Sequence, residues 1–139
     1  EYRIDCEEFA DPLKIRYAHF TYVPLDEKLM QEAAFYLVGT HDFKSFCSVN
    51  TTAATTVRTI YDVQVIRDGV DIVIRITGNG FLYNMVRIIA GTLMDVGRGK
   101  YPPRMVERIL EKKDRCAAGP TAPANGLMLK ELRFLELER

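Results

Sequence analysis

Arg87 is the residue whose type and setting bear most directly on chemistry. It stands in a stretch where Leu82, Val86, Ile89, Leu93 and Val96 repeat at the helical period, a stripe widened by Met85 and Ile88. On that helical wheel Arg87 falls well away from the stripe, on the flank shared with Tyr83 and Met94. Two readings are open. An arginine off the apolar stripe is commonly a solvated surface residue. It can equally project over a sheet edge and hold an anion, carboxylate or phosphate, with its planar fork of donors. Periodicity alone does not choose between them.

Other constellations are weaker. Gly97-Arg98-Gly99-Lys100 looks like the end of a phosphate loop, but Met94 and Tyr101 stand where that motif needs glycine and a hydroxyl residue. Gly78-Asn79-Gly80 continues into Phe81, Leu82 and Tyr83, which is not a dinucleotide fingerprint. His41-Asp42 has no nucleophile beside it, so a capping or turn role suits Asp42 better than acid–base work. Cys6, Cys47 and Cys116 lie far apart, and His19 and His41 are the only histidines. That supply is thin for a metal site, so no metal is expected and the cysteines read as reduced thiols.

The charges sum to zero, with 19 basic and 19 acidic side chains. Locally they do not balance. Residues 1 to 57 hold five basic against nine acidic, and residues 58 to 115 hold eleven against seven. The basic excess peaks over residues 98 to 115, which can serve phosphate binding but, taken alone, better fits a solvated helix face laced with Arg104/Arg108 and Glu107/Glu111 pairs. Apolar residues at 47% with no net charge exclude disorder. No apolar run approaches the roughly 18 residues of a membrane span, so a cytoplasmic protein without a membrane partner is expected. The chain opens on Glu1 and not on methionine, which suggests a piece of a longer protein.

The elements that must position Arg87 can be read in outline. Residues 1 to 15 read as an acidic, irregular segment around Pro12, and residues 16 to 23 as a strand stopped by Pro24. Asp26 caps a helix carrying Leu29, Ala33 and Leu37, with Leu25 and Met30 as a hydrophobic staple and Gly39 at its end. After a threonine-rich loop, residues 57 to 67 alternate, with Val57, Thr59, Tyr61, Val63 and Val65 on one side. Asp68-Gly69 makes a tight turn, and Ile72, Ile74 and Ile76 return. Asn79 then caps the long helix, which Gly97 and Gly99 end. Gly91 inside it points to another backbone passing close by. A short helix after Pro103 buries Val106, Ile109 and Leu110, and a last strand runs over residues 127 to about 137. The outcome is a single α+β domain over residues 1–139, an antiparallel or mixed sheet with helices packed on one face.

Five ordered blocks carry a resemblance. Gly39-Thr40-His41-Asp42-Phe43-Lys44-Ser45-Phe46 precedes Thr56-Val57-Arg58-Thr59-Ile60. The long block from Gly78-Asn79-Gly80 through Asn84-Met85-Val86-Arg87 to Gly91-Thr92-Leu93 follows. Lys113-Asp114-Arg115 and Ala118-Gly119-Pro120-Thr121-Ala122-Pro123-Ala124-Asn125-Gly126-Leu127 complete it. In this order the sequence resembles the C-terminal domain of the tRNA pseudouridine synthase A family, over nearly its whole length.

The resemblance implies one of two ferredoxin-like halves whose sheets join, with the active-site cleft between them, in a homodimer. It implies isomerisation of uridine to pseudouridine in the tRNA anticodon stem-loop, with no cofactor. The family's nucleophilic aspartate sits in a Gly-Arg-Thr-Asp-x-Gly block of the N-terminal half, which this chain does not contain. What carries over is the second wall of the site. Arg87 matches the arginine that pairs with that aspartate, and Leu127 matches a leucine that packs near the flipped base or, equally, opens the last strand of the core. Tyr2-Arg3-Ile4 preserves only the end of a Tyr-x-Tyr-x-Ile block, so Tyr2, a substrate-side candidate, matches the second tyrosine better than the base-stacking first. Lys113, Arg115, Arg58 and Lys100 are candidates for RNA backbone contacts, with an internal salt bridge an equal reading for Arg58. Partners implied are tRNA and the N-terminal half. The rival reading is a catalytically silent RNA-binding or dimerisation module, and a plain structural domain is the third.

Overall fold

The computed structural model describes residues 1–7, 9–49 and 51–131. Strand formation begins where the sequence reads as irregular. Tyr2 and Ile4 alternate with Arg3 and Asp5 in β1 (Tyr2–Asp5), and both apolar side chains are fully buried. Four residues are too short a pattern to stand out beside the acidic segment that follows. The strand expected over residues 16 to 23 contracts to β2 (His19–Phe20), because residues 14 to 18 turn back through Tyr17 N–H and Ala18 N–H bonds to the Lys14 carbonyl.

Asp26 caps α1 (Glu27–Phe35), its carboxylate accepting from the Lys28 and Leu29 backbone N–H groups at 2.9 and 3.2 Å. The helix buries Met30, Ala33 and Ala34, while Leu29 lies at the core's edge and Gly39 opens a further strand, β3 (Gly39–Asp42). Asp42 takes the turn role its sequence context suggests, accepting from the Lys44 N–H.

The expected hairpin is β4 (Val57–Asp68) and β5 (Asp71–Gly78), turning at Gly69 and Val70, one residue later than expected. Its facing differs from simple alternation. A bulge between Ile60 and Asp62 shifts the register, so Ile60 joins Val63 in the core while Val57 and Tyr61 are exposed. Alternation read straight through residues 57 to 65 is therefore corrected at Tyr61. Arg58, with the parity of Ile60, moves to the helix-covered side.

The long helix, α2 (Met85–Gly97), begins later than expected. Its N-cap position is Asn84, in the left-handed region at φ 62°, and Asn79 instead accepts the Thr59 N–H at 2.9 Å and closes the end of the hairpin. After α2, α3 (Met105–Lys112) buries Val106, Ile109 and Leu110, as its spacing requires.

The five strands form one mixed sheet in the order β2-β1-β5-β4-β3, with only β1 and β2 parallel. The core lies between this sheet and the helices, and joins Ile4, Ile72 and Ile74 to Met30, Ile89 and Leu93. On the opposite face, Lys14 Nζ closes over β1 and β5, 3.0 Å from Asp71 and 3.3 Å from Glu7. Burial opposes its charge, but these two carboxylates prevail and raise the amine to about 12.

Of the expected last strand, the described residues show one antiparallel bridge, Leu127 to Tyr2; residues 132 to 137 lie outside the described residues. With that bridge, β1, α1, β4, β5, α2 and Leu127 follow the β-α-β-β-α-β path of a ferredoxin-like half. The architecture is α+β.

Candidate functional site

Arg87 lies in the first turn of α2, where the helix dipole disfavours a cation, so other contacts must hold it. They come from residues 118–127. Arg87 Nε donates to the Ala122 carbonyl at 2.7 Å, and the Arg87 carbonyl accepts the Ala122 N–H at 3.0 Å. Nη1 donates to Asn84 Oδ1 at 3.1 Å, and Asn84 Nδ2 donates in turn to Ser48 Oγ. The second amino group, Nη2, bonds nothing among the described residues. A half-buried guanidinium fixed along one edge, with no carboxylate partner among the described residues, keeps donors that can receive an anion.

The segment that holds Arg87 runs very close to α2. A Cβ at Gly91 would fall 1.8 Å from the Pro120 carbonyl oxygen, so this helix position admits only glycine without displacing the segment. Thr92 Oγ1, donating to the Ile88 carbonyl, accepts the Gly119 N–H at 2.9 Å. The close approach that Gly91 suggests is this one.

Tyr2 and Leu127 meet at the other end of the same segment. The Tyr2 hydroxyl donates to the Pro123 carbonyl at 2.6 Å, and its ring packs on Gly126, where a Cβ would come within 2.7 Å of Cζ. Burial pushes the Tyr2 phenol far above the ordinary tyrosine range, and the nearby Arg87 charge pulls only partly against it. Tyr2 is 0% exposed, with its ring inside the core. The ring is a neutral strut that shapes the segment. Leu127 is 43% exposed beside it and presents an apolar surface.

The expected phosphate contacts divide. Arg115 spends both amino groups on the same segment, Nη1 on the Gly119 carbonyl at 2.8 Å and Nη2 on Thr121 Oγ1 at 3.1 Å. Lys113 is exposed in a left-handed conformation at the end of α3 and bonds nothing among the described residues. Lys100 lies beyond the far end of α2, at least about 15 Å of helix from Arg87. There it stands 3.8 Å from Asp95 and 5.3 Å from the Tyr101 ring centroid. The structure does not bring Lys100 to Arg87. Arg58 makes no salt bridge among the described residues; its Nη1 donates to the Thr55 and Val57 carbonyls, both at 2.8 Å.

Sequence reasoning missed Asn84 and the Ala122 carbonyl. Asn84 had a signal, its i,i+3 spacing from Arg87. A backbone carbonyl has none.

A family model described as tRNA pseudouridine synthase matches residues 33–135. The chain belongs to the tRNA pseudouridine synthase family. The match takes in Arg58, Arg87, Lys100, Lys113, Arg115 and Leu127 and leaves Tyr2 outside. Among relatives named tRNA pseudouridine synthase A, one from Bacillus velezensis is 54% identical over 132 residues, 93% of this chain and 53% of the relative. One from Brevibacillus brevis is 51% identical over 136 residues, 96% and 56% of the two chains. One from Bacillus subtilis is 52% identical over 132 residues, 93% and 53%. The chain spans about half the length of the curated relatives it matches.

Among the described residues no helix is long and apolar enough to cross a membrane, and no three His, Cys, Asp or Glu side chains are grouped to hold a metal. Cys6, Cys47 and Cys116 are free, and burial raises the first two thiols above the ordinary cysteine value.

Proposed function

We propose that this chain is the C-terminal domain of a tRNA pseudouridine synthase and forms one wall of a cleft whose other wall, with the nucleophilic aspartate, comes from the N-terminal half of the same protein. The observation that carries the reading is Arg87: its guanidinium is anchored on Ala122 and Asn84, while Nη2 is left for a partner the described residues do not supply. A carboxylate from the other half completes that pair, stays ionised beside the guanidinium and is aimed at the sugar. The target uridine in the anticodon stem-loop leaves its stack, as enzymes acting on bases require. The aspartate opens the glycosidic bond, by attack on the sugar carbon or through a glycal, and the freed uracil turns and rejoins through carbon. Exposed Leu127 gives the loose base an apolar wall. The chemistry calls for no cofactor. The assembled enzyme is a cytoplasmic homodimer acting on tRNA.

The test is turnover of unmodified tRNA by the full-length protein and by its Arg87→Ala variant. Pseudouridine formed by the first and nearly abolished in a folded second supports the reading. Near-normal turnover in Arg87→Ala returns the arginine to an ordinary surface role.

A further inference from the structure

The chemistry at Arg87 leaves a neighbouring feature unused. Between the end of β5 and the start of α2 lies a cavity of about 320 Å³, lined by Arg58, Phe81, Leu82, Tyr83 and the threonine loop at residues 51 and 52. That volume is at the lower end of cavities that hold small ligands. Two aromatic rings open here to solvent, Phe81 at 41% and Tyr83 at 69% exposure. Phe81 is seated against β5: its ring edge lies 3.4 Å from where a Cβ on Gly78 would stand, an ordinary packing distance.

Arg58 is fixed in the same cavity. Its Nη1 is tied to the Thr55 and Val57 carbonyls, and Nε and Nη2 bond nothing among the described residues. No carboxylate of the described residues forms an ion pair with it. An apolar protein surface laid over the two rings would bury that cation unpaired, which is costly. A nucleotide satisfies both features at once, because its base stacks on a ring and its phosphate meets the guanidinium.

We propose that this cavity is a nucleotide subsite for an RNA residue neighbouring the target uridine, with the base on Phe81 and Tyr83 and the phosphate on Arg58. The proposal rests on the reading of Arg87 as part of a tRNA-modifying site. The link between the two is structural. The Tyr83 carbonyl accepts the Ser48 N–H, and Asn84 joins Ser48 Oγ to Arg87 Nη1. One bonded network thus spans the cavity wall and Arg87.

The experiment uses the full-length protein with unmodified tRNA, measuring Kd against salt concentration and turnover at saturating tRNA. Arg58→Gln should weaken binding and flatten the salt slope by about one, the signature of one lost phosphate contact. Phe81→Leu combined with Tyr83→Leu should weaken binding about ten-fold with the slope unchanged. Because Phe81 packs on β5, Tyr83→Ser alone is the second variant; its exposed ring can be removed without touching the core, and a several-fold loss of affinity is expected.

Unchanged Kd and slope in Arg58→Gln, or unchanged Kd in both aromatic variants, overturns the subsite while wild-type turnover leaves the Arg87 reading standing. A changed oligomer mass with unchanged tRNA affinity assigns the rings to a protein contact and also overturns it. Absence of turnover in wild type sinks the Arg87 reading itself, a result the binding data cannot mimic.

Discussion

Arg87 draws its geometry from a backbone carbonyl and an amide side chain, neither of which titrates, so its aim holds across the working pH range. In the full-length protein, Arg87→Ala should lower turnover by on the order of 10²-fold or more, the scale of a reacting group misplaced by an ångström. Arg87→Lys should fail similarly, since an ammonium cannot bond Ala122 and Asn84 and still offer a planar edge. Asn84→Gly keeps the left-handed backbone but releases Nη1, so kcat should fall with little change in KM; unaltered kcat would show that Nε alone fixes the fork. His19 gives a pH signature unrelated to catalysis. Burial and then the Arg98 charge hold its imidazole below the ordinary histidine value. The unfolded chain therefore takes the proton first, and stability, fully present above about pH 6.5, should decline as pH falls below it. Denaturation midpoints between about pH 5 and 8 test this, and His19→Gln should remove that part of the dependence. Arg87 was legible because a motif surrounds it. Asn84 carried only its i,i+3 spacing from Arg87, a weak signal because asparagine before a helix has several ordinary uses.

Between elements, the contact of α2 with residues 118–127 sets the site. Gly91→Ala gains helix propensity of about 1 kcal/mol and meets the Pro120 carbonyl at an impossible distance. Steric displacement should prevail, with a net loss of about 1–3 kcal/mol in urea denaturation and a fall in tRNA turnover, because the displaced segment carries Ala122 and Leu127. A stabilised and active variant would show that the segment moves freely. How much of the elements could be read follows from pattern length. The eight residues of α3 and the capped start of α1 carry complete signals. β1 and β3 have four residues each and are strands chiefly because the hairpin lies beside them. Nothing in the alternation of β4 announces a bulge, since Tyr61 suits either face.

Across the whole molecule the acidic and basic groups separate, but not as the sequence distribution alone suggests. Arg98 and Lys100 are drawn to buried Asp95 at the far end of α2, and Arg115 is committed to its own segment. Of the basic stretch, the side chains of Arg104, Arg108, Lys112 and Lys113 make no hydrogen bond or ion pair among the described residues, and Lys113 lies nearest in sequence to the segment that holds Arg87. In the full-length protein Lys113→Ala should therefore flatten the salt dependence of tRNA binding by about one, and Lys100→Ala should leave it unchanged. Equal effects would mean that the RNA reaches both ends of α2. Incubated alone with unmodified tRNA, the 139-residue chain should form no pseudouridine, since it lacks the Gly-Arg-Thr-Asp block. Robust turnover would reveal a nucleophile within this chain.

The bulge at Tyr61 gives the gene one codon that it can lose without turning the strand over. Upstream of it, Arg58 faces the cavity with the bulge taking up the one extra residue. Deleting Tyr61 would restore regular alternation, leave composition almost untouched and keep every motif intact. Ile60 and Val63 would then stand two positions apart on one face, with Arg58 still on the side of Ile60 and Thr59 still on the other. A variant library should thus tolerate many substitutions at this exposed tyrosine, and its deletion as well.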